Sequence, residues 1–476
     1  MVSLLADRWL AGGWLAGGWL AERAATHADL VAARSQMAFS LGWHIVLACL
    51  GVGMPAMTLL AEWRGLRTGD PVYTRLAHTW ARAMGVLFAV GAVSGTILSF
   101  EMGLLWPGLM ARFGHVIGLP FTMEAIAFFL EAIFLGIYLY GWDRLSPRTH
   151  LLTGVPVVVA GVASAFFVVT ANAWMNQPVG FRLGPDGRAV DVRPWSAMFN
   201  PATPPQTVHM ILAAFMVAGF LMASVYAVGM LRGRRDRYHR VGFLLPFVVA
   251  AVLTPVQIGV GDWAAHFVAH QQSVKFAALE GLYRTESSAP LHLGGVYFDD
   301  ELHYAVPIPY MLSLLAHWDP HATVLGLEEV PPDQRPPVNP VHWAFQLMVG
   351  CGFFLLALGV WAAVAWRRGH ELPRSRLFLW GGAVSGVAAV LALECGWVAT
   401  EVGRQPWIVF RIQRTAAAVN PAPGLVYGFL AVLAVYAVLT VATVYVLRRL
   451  AGRGADEPES GIPAPPQEDA PLRTDA

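Results

Sequence analysis

Nine apolar runs, each longer than twenty residues, leave this chain one kind of fold. They cover roughly 37–62, 82–106, 121–141, 152–175, 206–231, 241–261, 341–366, 377–400 and 424–448. An α-helix rises 1.5 Å per residue, so about 20 apolar residues cross the hydrocarbon core of a bilayer. Lipid offers peptide groups no hydrogen-bond partner, so each run must satisfy its backbone internally, as a helix. The expected fold is an all-α integral membrane protein with about nine transmembrane helices in bundles. Composition agrees: 56% of the 476 residues are hydrophobic and 13% charged, against about 25% charged in soluble domains. A formal net charge of +1 gives no basic surface for nucleic acid. Cys49, Cys351 and Cys395 lie far apart in apolar runs, with no CxxC pairing. That argues against a disulfide framework, a zinc ribbon or covalently attached haem.

The runs divide the chain. Residues 1–28 form an N-terminal extension whose near-repeat WLAGGWLAGGWLA, at 9–21, lacks the basic region of a signal peptide. Residues 29–261 carry helices 1–6, and 341–450 carry helices 7–9. Between them, 262–340 is rich in Pro, His and Glu with no run long enough to span. Residues 451–476 are rich in Pro, Asp and Glu and are expected to be a disordered tail. Arginines cluster after runs 1, 5, 7 and 9, as in Arg232, Arg234, Arg235 and Arg237. With nine crossings these segments share one side, expected to be cytoplasmic. The N-terminus, the 262–340 loop and the 401–421 loop are then expected outside, and the C-terminus in the cytoplasm.

Ionisable residues at membrane depth are costly and mark functional candidates. Of 15 histidines, His44 (SLGWHIVLACL) and His209 (QTVHMILAAF) lie within apolar runs. Both fall within the first turns from the outer side, as does Met348 of run 7, and Glu401 closes run 8 at that level. Ligands on separate helices projecting inward at one level are how helix bundles hold cofactors. A His/Met pair fills both axial positions of a haem iron, whereas a single ligand leaves a position open. Glu124 and Glu131, seven residues apart, share one helix face. With Glu101 and Glu394 they are candidates for proton relay.

These residues sit in longer motifs: GRQPW at 403–407, ECGWVATE at 394–401, EAIAFFLEAIFLGIYLYGWDR at 124–144, ANAWMNQPVG at 171–180 and WAFQLMVGCGF at 343–353. From about Arg34 to Arg449 the chain resembles subunit I of the cytochrome bd ubiquinol oxidase family. The short loop is similar to that of the cyanide-insensitive branch. The resemblance implies that His209 and Met348 are the axial ligands of a low-spin haem b. It implies that His44 and Glu401 ligate the oxygen-reducing pair, a high-spin haem b and a haem d or third haem b, in an order left open. Glu124, Glu131, Glu101 and Ser164 match proton-handling positions. Lys275 and Glu280, in SVKFAALEGLYRTE, match the functional pair of the outer quinol-binding loop. Arg404 and Arg34 match positions suited to holding haem propionates, since guanidinium pairs bidentately with carboxylate.

Two positions depart from the family pattern. Gln346 stands where an Arg is common before the axial Met, and Ala132 where a Ser follows the second glutamate. The implied activity is quinol oxidation at the outer face, with electrons passing by the low-spin haem to the pair that reduces O2 to water. Protons are drawn from the cytoplasm, so a gradient forms without pumping. The implied setting is the bacterial cytoplasmic membrane. The implied partners are a subunit II, a small single-span subunit, lipid, O2 and ubiquinol or menaquinol. Two alternatives remain at this point. One is a haem b quinol dehydrogenase with no open iron position. The other is a proton- or cation-coupled transporter, for which the inverted repeats common in such proteins are not evident.

Overall fold

The computed structural model describes residues 26–369, 373 and 375–456. Among them nine helices are long and apolar enough to cross a membrane. We number these α1 (His27–Thr68), α2 (Pro71–Leu105), α3 (Pro107–Tyr140), α4 (Pro147–Asn176), α5 (Thr203–Leu231), α6 (Arg237–Gln271), α7 (Val338–Gly369), α8 (Arg376–Val402) and α9 (Leu425–Asp456). Their ends follow from local chemistry. Thr26, Asp70, Ser146, Asp236 and Ser375 each accept a backbone N–H of the first turn, satisfying a donor that has no partner within the helix. Proline opens α2, α3 and α4, where its missing N–H costs nothing.

In lipid, side-chain burial gains little over exposure to acyl tails, so close packing must hold the helices together. α5 is the most enclosed of the nine and α9 the least. Small residues let the backbones approach α5. A Cβ on Gly53 of α1 would lie 2.3 Å from Ala218, and one on Gly219 would lie 2.8 Å from both Ala250 and the Pro246 carbonyl of α6. Arg237 pairs with Asp70, and Tyr238 Oη donates to Thr79 Oγ1 at 3.2 Å. The arginine-bearing ends of α1 and α5 therefore share one face.

The opposite face carries the segment between α6 and α7. It holds a helix at Ser273–Glu280, paired strands at Leu291–Leu293 with Val306–Ile308 and at Val296–Phe298 with Glu301–His303, and a helix at Met311–His317. Phe276, Leu279, Leu312 and Leu327 form its core together with Val341 of α7 and Ala399 of α8. His342 of α7 is fully buried and bonds the carbonyls of Leu279 at 2.7 Å and Gly294 at 3.0 Å.

Several boundaries differ from the sequence expectation. α6 continues to Gln271 rather than ending at 261, so the first ten residues of the expected loop are helical. α1 begins at His27, inside the expected extension, and α9 continues to Asp456, past the expected start of the tail. Hydropathy registers only the lipid-facing middle of a helix; the polar turns beyond it are set by caps and packing. The near-repeat at 9–21 and residues 457–476 lie outside the described residues.

Candidate functional site

His44 of α1 faces α2. Its Nδ1 lies 2.8 Å from Ser94 Oγ, and Ser94 directs its own proton to the Gly91 carbonyl at 3.0 Å. The network therefore assigns the ring proton to Nδ1 and leaves Nε2 as the bare nitrogen. His209 of α5 faces α6. Gln257 Nε2 lies 3.2 Å from its Nε2, while His209 Nδ1 and Gln257 Oε1 are buried without partners among the described residues. Met348 of α7 faces α8.

A glycine stands beside each of these three side chains. A Cβ on Gly95 would lie 3.2 Å from His44 Cε1, one on Gly261 3.4 Å from His209 Cε1, and one on Gly396 2.9 Å from Met348 Sδ. A methyl at Gly95 or Gly396 would crowd its neighbour's ring or sulfur, and one at Gly261 would just touch it. Imidazole and thioether are both haem-iron donors. The orphaned His209 nitrogen and the three glycine-backed side chains fit axial ligation of haem.

Glu401, at the end of α8, is fixed by both oxygens: Asn172 Nδ2 donates to Oε1 and Arg404 Nη2 to Oε2. Arg404 is 2% exposed, and its Nε and Nη1 have no partner among the described residues. A buried guanidinium with donors to spare suits anionic propionates. Arg34, the other cation expected there, lies on the exposed side of α1.

Glu124 accepts from Ser164 Oγ at 3.3 Å. Glu131, one heptad further along α3, lies against Gly161 of α4, whose Cβ would be 3.4 Å from Oε1. Glu101 is tied to α1, its Oε1 accepting from Gln36 Nε2 and Ser40 Oγ, both at 2.9 Å. Glu394 faces α1 two residues from His44, its Oε2 lying 3.1 Å from where a Gly42 Cβ would sit.

Lys275 and Glu280 occupy one short helix, and both are 4% exposed. Their surroundings differ. Lys275 Nζ donates to Asn176 Oδ1 at 2.6 Å, and its stem runs 3.0 Å from where a Gly403 Cβ would be. Glu280 lies among the apolar residues of the loop core, its Oε2 without a partner among the described residues. Burial, reinforced by Arg404 and opposed by Glu401, pushes the Lys275 ammonium down to about 7. Burial pushes the Glu280 carboxyl up to about 8. Gln346 donates to the His292 carbonyl at 2.9 Å and so pins a loop strand to α7.

Sequence reasoning missed three groups. Ser94 is an ordinary residue type in a helix, and Asn172 and Asn176 stand in the ANAWMNQPVG motif without a role of their own there. Glu62 accepts from Tyr138 Oη at 2.6 Å and lies 2.7 Å from His150 Nδ1, all three being buried. Their positions at helix ends, where charge is unremarkable, concealed them.

Residues 32–455 match the family described as cytochrome bd terminal oxidase subunit I. A Bacillus subtilis (strain 168) protein, whose name marks it as a candidate menaquinol oxidase subunit I of the cytochrome bd type, is 37% identical over 428 residues, covering 88% of this chain and 96% of that protein. The cytochrome bd ubiquinol oxidase subunit 1 of the same organism is 30% identical over 449 residues, covering 90% and 94%. A chain of the solved bd oxidase from Geobacillus thermodenitrificans superposes with a TM-score of 0.84 at 39% identity, covering 89% of this chain and 98% of that one.

Proposed function

Because this chain belongs to the cytochrome bd terminal oxidase subunit I family, we propose that it oxidises quinol at its outer loop and reduces O2 to water within the helix bundle. A respiratory terminal quinol oxidase is what the family is; the residue roles and their order are our reading. When bound, the haems supply one-electron transfer from quinol and the reduction of O2. His209 and Met348 would hold a low-spin haem b, and His44 and Glu401 would each hold one of the oxygen-side haems, a high-spin haem b and a haem d or third haem b, where O2 would bind. The observation that carries this reading is the glycine set beside His44, His209 and Met348.

The chain's own groups handle protons. Glu280, in apolar surroundings with a carboxyl raised to about 8, accepts a proton as quinol is oxidised. Lys275, held by Asn176, orients the quinol oxygen. Glu131, then Glu124 with Ser164 along the same face of α3, deliver protons from the cytoplasmic side, with Glu101 as a further carboxylate beside α1. Arg404 secures propionates. The arrangement separates charge by drawing and releasing protons on opposite faces of a bacterial cytoplasmic membrane, and no pumping element is required. The working unit is a heterodimer with a subunit II, joined by a small single-span subunit, using ubiquinol or menaquinol. A reduced-minus-oxidised spectrum of the purified complex, with haem extraction and quinol-driven O2 uptake, tests this. Several haems and uptake are expected; a colourless assembled complex would refute it.

A further inference from the structure

Lys275 and Glu401 belong to different parts of the chain, one to the outer loop and one to the end of α8. A continuous hydrogen-bonded chain joins them. Lys275 Nζ donates to Asn176 Oδ1 at 2.6 Å. Asn176 Nδ2 donates to Asn172 Oδ1 at 2.9 Å and to the Asn172 carbonyl at 3.0 Å. Asn172 Nδ2 donates to Glu401 Oε1, and Arg404 holds the other carboxylate oxygen. The two asparagines are one turn apart on α4, so their side chains stack along one face.

Both ends of this chain fix its direction. In its ammonium form Lys275 only donates, and a carboxylate only accepts. Asn176 must therefore turn its oxygen to Lys275, and Asn172 its nitrogen to Glu401. Flipping either amide breaks an end. The two amides thus align head to tail between a cation and an anion, each polarising the next. Most of the chain is enclosed: Asn176 is fully buried and Lys275 and Arg404 are 4% and 2% exposed, while Asn172 and Glu401 are half-buried. Gln272, beside Lys275, fastens the same point by donating to the Asn176 carbonyl at 2.8 Å.

We propose that Asn172 and Asn176 are positioning residues that couple the quinol loop to the oxygen-side ligand: they hold the Glu401 carboxylate in one orientation and make that orientation answer to the Lys275 ammonium. The inference rests on the reading of Lys275 and Glu401 given above. A quinone oxygen bound at Lys275 draws the three-donor ammonium towards itself and loosens its bond to Asn176, and the amide pair is then free to shift against Glu401. Occupancy at the loop is then felt at the haem that Glu401 ligates, with no movement of the helices.

The variant Asn176→Asp separates the halves. Aspartate still accepts from Lys275 but donates nothing to Asn172. The purified complex, in its oxidised state, is titrated with a short-chain ubiquinone while the high-spin and low-spin absorbances are followed. In the parent, ubiquinone shifts the high-spin absorbance. In Asn176→Asp the shift is lost, although haem content and the low-spin band are retained. Asn172→Ala gives the same loss and serves if the aspartate variant fails to assemble. A high-spin shift in both variants equal to that of the parent, or none in the parent at saturating ubiquinone, overturns the coupling. Retention of every haem band in Glu401→Ala overturns instead the ligand assignment on which it rests, and the coupling with it.

Discussion

His44 Nδ1 and Ser94 Oγ lie 2.8 Å apart, with the serine proton directed away to the Gly91 carbonyl. Ser94 therefore orients the ring and sets its tautomer. Outer partners of this kind are worth on the order of 10–100-fold in metal affinity or activity. Ser94→Ala should lower occupancy of the haem at His44 or broaden its absorbance, while the low-spin band stays intact. Haem extraction with optical spectra checks both; an unchanged spectrum would remove Ser94 from the site.

Gly396 offers a test of Met348 that leaves the ligand itself in place. A methyl at 396 would lie 2.9 Å from Met348 Sδ. The thioether is flexible enough to yield without unfolding α8, but yielding moves the sulfur. Gly396→Ala should weaken the low-spin signal in the way that Met348→Leu abolishes it, and His209→Ala should abolish it too. Intact low-spin absorbance in Met348→Leu and His209→Ala would refute the axial pair.

Glu280 predicts a pH dependence. Its carboxyl, raised to about 8 by burial, is largely protonated at neutral pH. Only the ionised form can take a proton from quinol. The ionised fraction grows about tenfold per pH unit below the pKa, so quinol oxidation should accelerate as pH rises towards 8 and then level. Stability runs the other way. A raised carboxyl favours the folded state fully below its unfolded value, and that contribution is lost as pH rises through about 8. Glu280→Gln should slow oxidation and flatten the rising limb with haem content retained. A steep limb surviving in Glu280→Gln would assign it to another group.

The Glu62–His150–Tyr138 cluster ties α1, α3 and α4 together, and all three side chains are at most 4% exposed. Replacing one partner of such a buried group leaves the others unsatisfied, at about 3–5 kcal/mol. Glu62→Leu should lower the thermal midpoint of the complex by several degrees while its spectrum at low temperature stays that of the parent. A midpoint equal to the parent's would show that the cluster contributes no stability.

The nine spans were legible because hydropathy over twenty residues is a strong signal that lipid enforces. His44 and His209 were legible for the converse reason: an imidazole in an apolar run stands out. The outer loop read as an interruption, and its internal order was invisible, since two- and three-residue strands carry no periodicity. Lys275 and Glu280 read as a pair because SVKFAALEGLYRTE resembles the family's quinol-binding loop. Folded, Lys275 turns to Asn176 and Glu280 to an apolar pocket. The asparagines stood within the ANAWMNQPVG motif with no role that the motif itself could assign, and Ser94 had no signal, because their meaning lies in bonds to distant residues, as in Asn172 with Glu401, or on a neighbouring helix, as in Ser94 with His44.

The segment between α6 and α7 is not a loose flap. One end grows out of the helix that carries Gln257 and Gly261 beside His209; the other enters the helix that carries Met348. His342 and Gln346 rivet its strands to that second rod. A graft of residues 272–337 from a relative would therefore exchange quinone preference without disturbing iron ligation, provided the backbone carbonyls met by positions 342 and 346 and the bonds of Gln272 and Lys275 to Asn176 were preserved. Selectivity for the fuel and custody of the metal would be separable traits, inherited through different parts of one chain.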